Sequence, residues 1–275
     1  MVVFTGVEYT DVEFLLKKGF TENNPKTIHE ITRFRKGVKK KVTGILYESG
    51  KFFIQGDFEL VEKTAQILRS KKIGSEVKPL EFREELGRVI GSDESLKGDT
   101  FGGITIAAVK GDDQIREKLI AIGVGDSKRF SDKEILRMAD EIKLVAPCIV
   151  FNIYPEEYNK EESVTNILNR LHRQAATELF PGYHVVDKYP GCRVGDFAEI
   201  KAESRWIEVA AASVLARAAA VRQINTLSKK AGFAIPKGST HVAWALQEMI
   251  EKGLEPKEFV KLHFKNVQKF LHEHE

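Results

Sequence analysis

Two adjacent carboxylates, Asp93 and Glu94, follow the apolar run Arg88–Gly91 and precede the turn Ser95-Leu96-Lys97-Gly98. Neighbouring side chains on a regular strand point to opposite faces. The pair can therefore converge only where the strand ends and the chain bends, and the run is expected to end there. Asp187 closes a second short apolar run, Tyr183–Asp187, in the same way, and Glu203 stands just before an alanine-rich stretch. Ligand sites of α/β domains collect at sheet ends. A lone strand-end Asp is more often a cap or a surface residue, so the set carries the weight and no single acid does. Spacing alone does not select Glu203 over Asp196, Glu199 or Glu208.

Gathered carboxylates repel one another, which raises their pKa values. A divalent cation removes that cost. Oxygen ligands without a cysteine or histidine pair suit Mg²⁺ or Mn²⁺ over zinc. Two such ions about 3.5–4 Å apart would serve phosphodiester hydrolysis, activating water and stabilising the leaving oxygen.

The elements that must hold these acids read as an α/β domain from about residue 81 to 275, with a mixed sheet flanked by helices. Arg88–Asp93 and Gly103–Val109 read as antiparallel strands, and Pro147–Tyr154 as another. Ser131 with Glu134 forms a capping box that opens a helix. Glu162–Phe180 reads as a long helix stopped before Pro181, and Phe197–Ala202 as a further strand. Arg205–Lys230 is helical with Gly232 following, and Thr240–Lys252 and Pro256–Leu271 read as two closing helices. Residues 1–80 read as a smaller α+β unit. Asp11–Lys18 is helical and ends at Gly19. Lys41–Tyr47 and Lys51–Gln55 form a hairpin through Glu48-Ser49-Gly50. Asp57 caps a helix over Phe58–Ser70 with Leu60, Ala65 and Leu68 on its apolar side. Ser75–Leu80 reads as a linker.

Of the 275 residues, 42% are hydrophobic and 30% charged, which suits a folded, well-solvated chain. No run reaches the roughly 18 apolar residues of a membrane span. The N-terminus lacks a basic region leading into an apolar one, so no signal peptide is read. Cys148 and Cys192 are read as reduced thiols, and a cytoplasmic location is expected. The net charge of +3 is uneven: residues 1–80 hold 15 Lys and Arg against 10 Asp and Glu, and the remainder 28 against 30. A basic front unit beside an acidic body fits phosphate binding by one and metal binding by the other.

Several motifs together carry a family likeness. Gly91-Ser92-Asp93-Glu94, Gly98-Asp99 and Phe101-Gly102 come first, then Gly125-Asp126-Ser127-Lys128 and Asn166–His172. Val186-Asp187, Lys201-Ala202-Glu203, Val209–Ser213 with Ala216-Arg217, and Leu262–Asn266 follow in order. With the hairpin Tyr47–Lys51 and Ile54-Gln55-Gly56 in front, the chain resembles bacterial ribonuclease HIII over nearly its whole length. The resemblance implies a ribonuclease H-like catalytic domain behind an N-terminal substrate-binding domain with the fold of TATA-binding protein. It implies an endoribonuclease that hydrolyses the RNA strand of RNA/DNA hybrids with two metal ions, leaving 5′-phosphate and 3′-hydroxyl ends. It assigns Asp93, Glu94, Asp187 and Glu203 as catalytic metal ligands, and Asp93 is expected to bridge the ions. Ribonuclease HII usually has Asp where this chain has Glu203.

One departure concerns Leu96, where the family usually has glycine in a turn that approaches the ribose 2′-hydroxyl. Leucine enters positive φ at a cost, so a turn of different shape is expected. Lys97, Gly98, Ser127 and Lys128 are candidates for substrate contact. In the front unit, Arg33, Arg35, Lys39, Lys40, Lys41 and Lys51 are candidates too, with Phe34, Tyr47, Phe52 and Phe53 interleaved. His172 and His184 are read as packing or hydrogen-bonding residues, and no obligate protein partner is inferred. Competing readings are a ribonuclease HII-like enzyme acting at single embedded ribonucleotides, a non-catalytic nucleic-acid-binding protein, and a metal-binding scaffold.

Overall fold

Period-2 alternation builds the first sheet and helical amphipathicity closes it. The computed structural model describes residues 2–76, 87–125, 127–161 and 163–273. Contacts group the chain into two units, within Met1–Pro79 and Leu80–Glu275.

In the first unit β1 (Val2–Thr5) is followed by a short helix α1 (Tyr9–Val12) that tightens into a 3₁₀ turn over Glu13–Lys18. It stops at Gly19, whose φ of +82° supplies the left-handed terminator. The helix therefore starts two residues before the expected Asp11 and is mostly 3₁₀. Then come β2 (Thr21–Asn23), β3 (Glu30–Lys36), β4 (Val42–Tyr47), β5 (Phe52–Gly56), α2 (Phe58–Ser70) and β6 (Ser75–Glu76). The sheet order is β2-β3-β4-β5-β1-β6, antiparallel throughout. Asp57 caps α2, accepting from Leu60 N. Val61, Thr64, Ala65 and Leu68 bury against the sheet, whereas the expected Leu60 is only half-buried. Ser75 and Glu76 pair with β1 and are strand, not linker; residues 77–80 of the expected linker lie outside the described residues.

The second unit holds β7 (Val89–Ser95), β8 (Ile104–Gly111), α3 (Asp113–Ile122), α4 (Asp132–Val145), β9 (Cys148–Ile153), α5 (Pro155–Tyr158) and α6 (Val164–Leu179). It continues with β10 (Tyr183–Asp187), β11 (Phe197–Glu199), α7 (Ile207–Ala231), α8 (Ala243–Glu251) and α9 (Lys265–His272). The sheet is mixed, in the order β11-β10-β7-β8-β9. β7, β8 and β9 run antiparallel, while β10 is parallel to both β7 and β11.

Two helices sandwich this sheet. On one face Ala107 and Val109 of β8 pack with the alanines of α7. On the other, Ile104 and Ile106 pack with Leu168 and Leu171 of α6. Gly91 permits the close approach of α7: a Cβ there would stand 2.2 Å from Val209 N. The alanine stripe is thus close packing, as small residues allow.

The expected closing helix Pro256–Leu271 is broken. A 3₁₀ turn covers Pro256–Glu258, and α9 begins only at Lys265. Between them Lys261 is buried and donates to the carbonyls of Asp99 (2.6 Å) and Gly102 (2.9 Å), with the rings of Tyr158 and Phe264 beside its ammonium. Phe101 bridges Val260 in strand fashion. A buried ammonium needs such partners, and the backbone between the 3₁₀ turn and α9 is not helical.

Candidate active site

The strand does not end at Asp93. β7 runs on through Glu94 and Ser95, opposite Ala107, Ile106 and Thr105 of β8. The two acids therefore project to opposite faces and reach one cavity around the end of the strand. Asp93 turns toward α7, where the Ser213 hydroxyl donates to it, and it also accepts from Glu94 N at 2.7 Å. Glu94 turns toward α6 and His172. Asp187 ends β10 and accepts from Ala202 N at 2.9 Å. Lys201, at φ +62°, turns the chain so that Glu203 follows on a 3₁₀ turn, Ala202–Ser204.

A cavity of about 270 Å³ at this sheet end is lined by all four acids, with Ser95, Lys97, Ser127, Lys128, Ser213 and Arg217. Burial, with Glu94 and Asp187 close by, pushes the Asp93 carboxyl well above its usual range. Burial and the Glu203 carboxylate raise Asp187 to about 6. Burial also works to raise Glu94, but His172 and Lys97 outweigh it and hold its pKa below the usual value. Oε2 of Glu94 and Oε2 of Glu203 are buried without a hydrogen-bond partner. Among the described residues no three His, Cys, Asp or Glu groups form a ready-made metal shell. Mg²⁺ keeps much of its water, however, and needs only one or two carboxylates beside substrate oxygens. Orphaned carboxylate oxygens and acids forced toward neutrality fit an oxygen-seeking cation.

The other acids near Glu203 are engaged elsewhere. Glu199 accepts from the Trp206 indole (2.8 Å) and Arg205, Glu208 pairs with Arg116 at 2.6 Å, and Asp196 accepts from His184 N.

Lys97 lines the cavity with its ammonium on Glu94 Oε1. Ser127 meets Ser213 Oγ at 2.9 Å, and Lys128 stands beside it in the lining. Gly98 is exposed and does not line the cavity. Asp126, in the expected Asp-Ser-Lys element, lies outside the described residues. Leu96 does adopt φ +66°. The left-handed turn persists despite the leucine, whose side chain is buried in a cluster with Phe101 and Ile224. Ser213 and Arg217, one helical turn apart on α7, were within the matched motif but not assigned to the site. Arg217 donates to the carbonyls of Ser127 and Phe130 and so ties down the segment carrying Lys128.

In the first unit Arg33 is held by Glu30, Nε to Oε2 at 2.6 Å, while Arg35 and Lys51 are exposed. Phe34 and Phe52 belong to the core beneath α2; Tyr47 and Phe53 stack edge to face on the opposite side of the sheet.

A mixed sheet ending in four carboxylates, rimmed by lysine and arginine, has the makings of a metal-dependent phosphodiesterase. The Ribonuclease HII family profile matches residues 90–267. Ribonuclease HIII of Bacillus anthracis is 33% identical over 259 residues, covering 81% of this chain and 83% of the relative. A crystal structure of Bst-RNase HIII in complex with Mn²⁺ aligns over 99% of this chain and 98% of that one, at 26% identity and a TM-score of 0.62. Aquifex aeolicus RNase H3 aligns over 96% of this chain and all of that one, with 26% identity and a TM-score of 0.56. The class is that of the ribonucleases H, metal-dependent hydrolases that cleave RNA in RNA/DNA hybrids. Within it, the chain belongs to the ribonuclease HIII family. Among the described residues no helix is long and apolar enough to cross a membrane.

Proposed function

We propose that Asp93, Glu94, Asp187 and Glu203 are the catalytic metal ligands of this chain, acting on RNA/DNA hybrids with Mg²⁺ or Mn²⁺, two ions per site. The observation that carries the reading is the shared cavity of four acids, two of them with orphaned oxygens. When bound, such ions lower the pKa of water and neutralise the leaving oxygen. The residues do the holding. Asp93, whose carboxyl feels the charges of both Glu94 and Asp187, would be a ligand shared by the ions. Ser213 and the Glu94 amide fix its orientation, and Ala202 N fixes Asp187. Lys128 and Lys97 supply positive charge for the scissile phosphate and its neighbour.

Residues 1–80 act as a substrate-binding domain and 81–275 as the catalytic one. Arg33, Ile45, Phe53 and Val3 form one row across four strands, on the face opposite Phe34 and Phe52. Exposed Arg35 flanks this row, and the sheet supplies a broad surface for the hybrid backbone. The two free thiols fit a reducing cytoplasm. No obligate protein partner enters this reading.

Asp93→Asn tests the assignment. It is expected to abolish cleavage of a long hybrid while leaving hybrid affinity within a few-fold of wild type. Near-normal turnover would refute the ligand set.

A further inference from the structure

On the α6 side of β7, Ser92 Oγ lies 2.7 Å from His172 Nδ1 and 2.8 Å from His184 Nε2. All three residues are buried, His172 and Ser92 completely. The other ring nitrogen of His172, Nε2, lies 3.7 Å from Glu94 Oε2. Neither of those two atoms has a hydrogen-bond partner. A carboxylate oxygen can only accept, so the two atoms are complementary only with a proton on His172 Nε2. A serine hydroxyl has one proton to give. If it goes to His172 Nδ1, the Nε2–H form is selected and Ser92 must itself accept from His184.

We propose that His184 and Ser92 form a directed hydrogen-bond relay that fixes the His172 tautomer, making His172 a positioning residue for Glu94. His184 Nε2–H donates to Ser92, Ser92 donates to His172 Nδ1, and His172 Nε2–H faces Glu94 Oε2. For a neutral His172, the reverse direction would set a lone pair against the carboxylate. Burial, above all, holds the His184 pKa down at about 4, so His184 is neutral near pH 7 and has a single N–H. Tyr189 supports the arrangement from below. Its ring lies 5.4 Å from that of His172 and 5.5 Å from the Lys97 ammonium, which grips Glu94 Oε1. The hydroxyl of Tyr189 donates to Asn169, in the second turn of α6. Glu94 is thus gripped by Lys97 at Oε1 and faced by His172 Nε2 at Oε2, each oxygen keeping a lone pair for a cation. This rests on the proposed role of Glu94 and explains why a motif ending in His172 accompanies the acids.

The test uses the full-length, metal-free chain. Imidazole ¹⁵N NMR is expected to show His172 and His184 both protonated at Nε2. A proton on His172 Nδ1 would overturn the relay without touching the metal assignment. Mn²⁺ affinity, read by EPR, should weaken ~10–100-fold in His172→Leu and Ser92→Ala, as loss of an outer-sphere partner does. His172→Gln, whose amide N–H can replace Nε2–H, should recover most of it. Wild-type Mn²⁺ affinity in folded Ser92→Ala and His172→Leu would also overturn it. Ser92→Ala and the NMR decide the matter if His172→Leu does not fold. Glu94→Gln serves as reference: if it too binds Mn²⁺ normally, the role of Glu94 fails, and the NMR still judges the relay.

Discussion

Ala202 N donates to Asp187 Oδ1 at 2.9 Å, so the third acid of the site holds the turn that carries the fourth. The bond draws Glu203 close enough to push the Asp187 pKa up, burial adding the larger part.

A pH dependence follows from that crowding. Asp187 rises from an ordinary 3.8 to about 6 in the folded chain. Between those values the folded state binds a proton that the unfolded state has lost. The stabilising contribution is complete below the unfolded value and is lost as pH rises through about 6. Without metal, Asp187→Asn should therefore raise Tm at pH 8 by a few degrees and change it little at pH 4. Thermal scans at the two pH values check this. A gap that is largest at the acid end would contradict it. Mn²⁺ affinity of the wild type should fall as pH drops below about 6, because the cation competes with that proton.

Leu96 makes an unusual ordering of variants. Its backbone sits at φ +66°, which costs leucine ~1–2 kcal/mol, while its buried side chain returns about 1.5–3 kcal/mol. Leu96→Ala loses the packing and keeps the strain; Leu96→Gly loses the packing and relieves it. Urea unfolding should rank wild type above Gly, and Gly above Ala by about 1 kcal/mol. The opposite order would mean that the turn relaxes out of the left-handed region.

Gly91→Ala should be among the most damaging single-methyl changes in the catalytic unit. Its Cβ would meet backbone, 2.2 Å from Val209 N and 2.3 Å from Glu208 C, with no flexible side-chain end to give way. Lifting α7 costs on the order of 1–3 kcal/mol and moves Ser213 and Arg217 away from Asp93 and the Lys128 segment. Chemical denaturation and kcat should both show it, whereas hybrid affinity should change far less.

Much of this architecture is legible in the residues, and the exceptions have physical causes. Helix α2 matches its expected bounds because Asp57 caps it and the apolar stripe is continuous. Helix α3 has a thin stripe, burying only Arg116 and Leu119, which gives its sequence little helical signal. Strand β3 is masked by charges and by a register shift between Glu30 and Thr32. The break before α9 coincides with Lys261 bonding carbonyls over 150 positions earlier in the chain, contacts that local pattern cannot announce. Among the acids, Asp93, Glu94 and Asp187 stand out at strand ends. Glu203 was selected only by family likeness, since its rivals differ in which distant partner each meets, Trp206, Arg116 or the His184 amide.

Arg35 and Lys51 are exposed on the first unit, whereas Arg33 is committed to Glu30. Arg35→Ala with Lys51→Ala should weaken hybrid binding and lower the slope of log affinity against log salt, each lost phosphate contact removing roughly one unit. Arg33→Ala should instead cost stability, because Glu30 is left buried without its partner. Fluorescence anisotropy across a salt series, with melting curves, separates the two effects. An unchanged slope in the double variant would remove Arg35 and Lys51 from the interface.

The cavity at the end of β7 is expected to hold divalent metal through its four acids. The most direct test is a crystal soaked in Mn²⁺ and recorded at an anomalous wavelength. The predicted result is Mn²⁺ in contact with Asp93, with Glu94, Asp187 and Glu203 completing the protein ligands. Anomalous peaks confined to other parts of the chain, at a Mn²⁺ concentration that saturates cleavage, would contradict it.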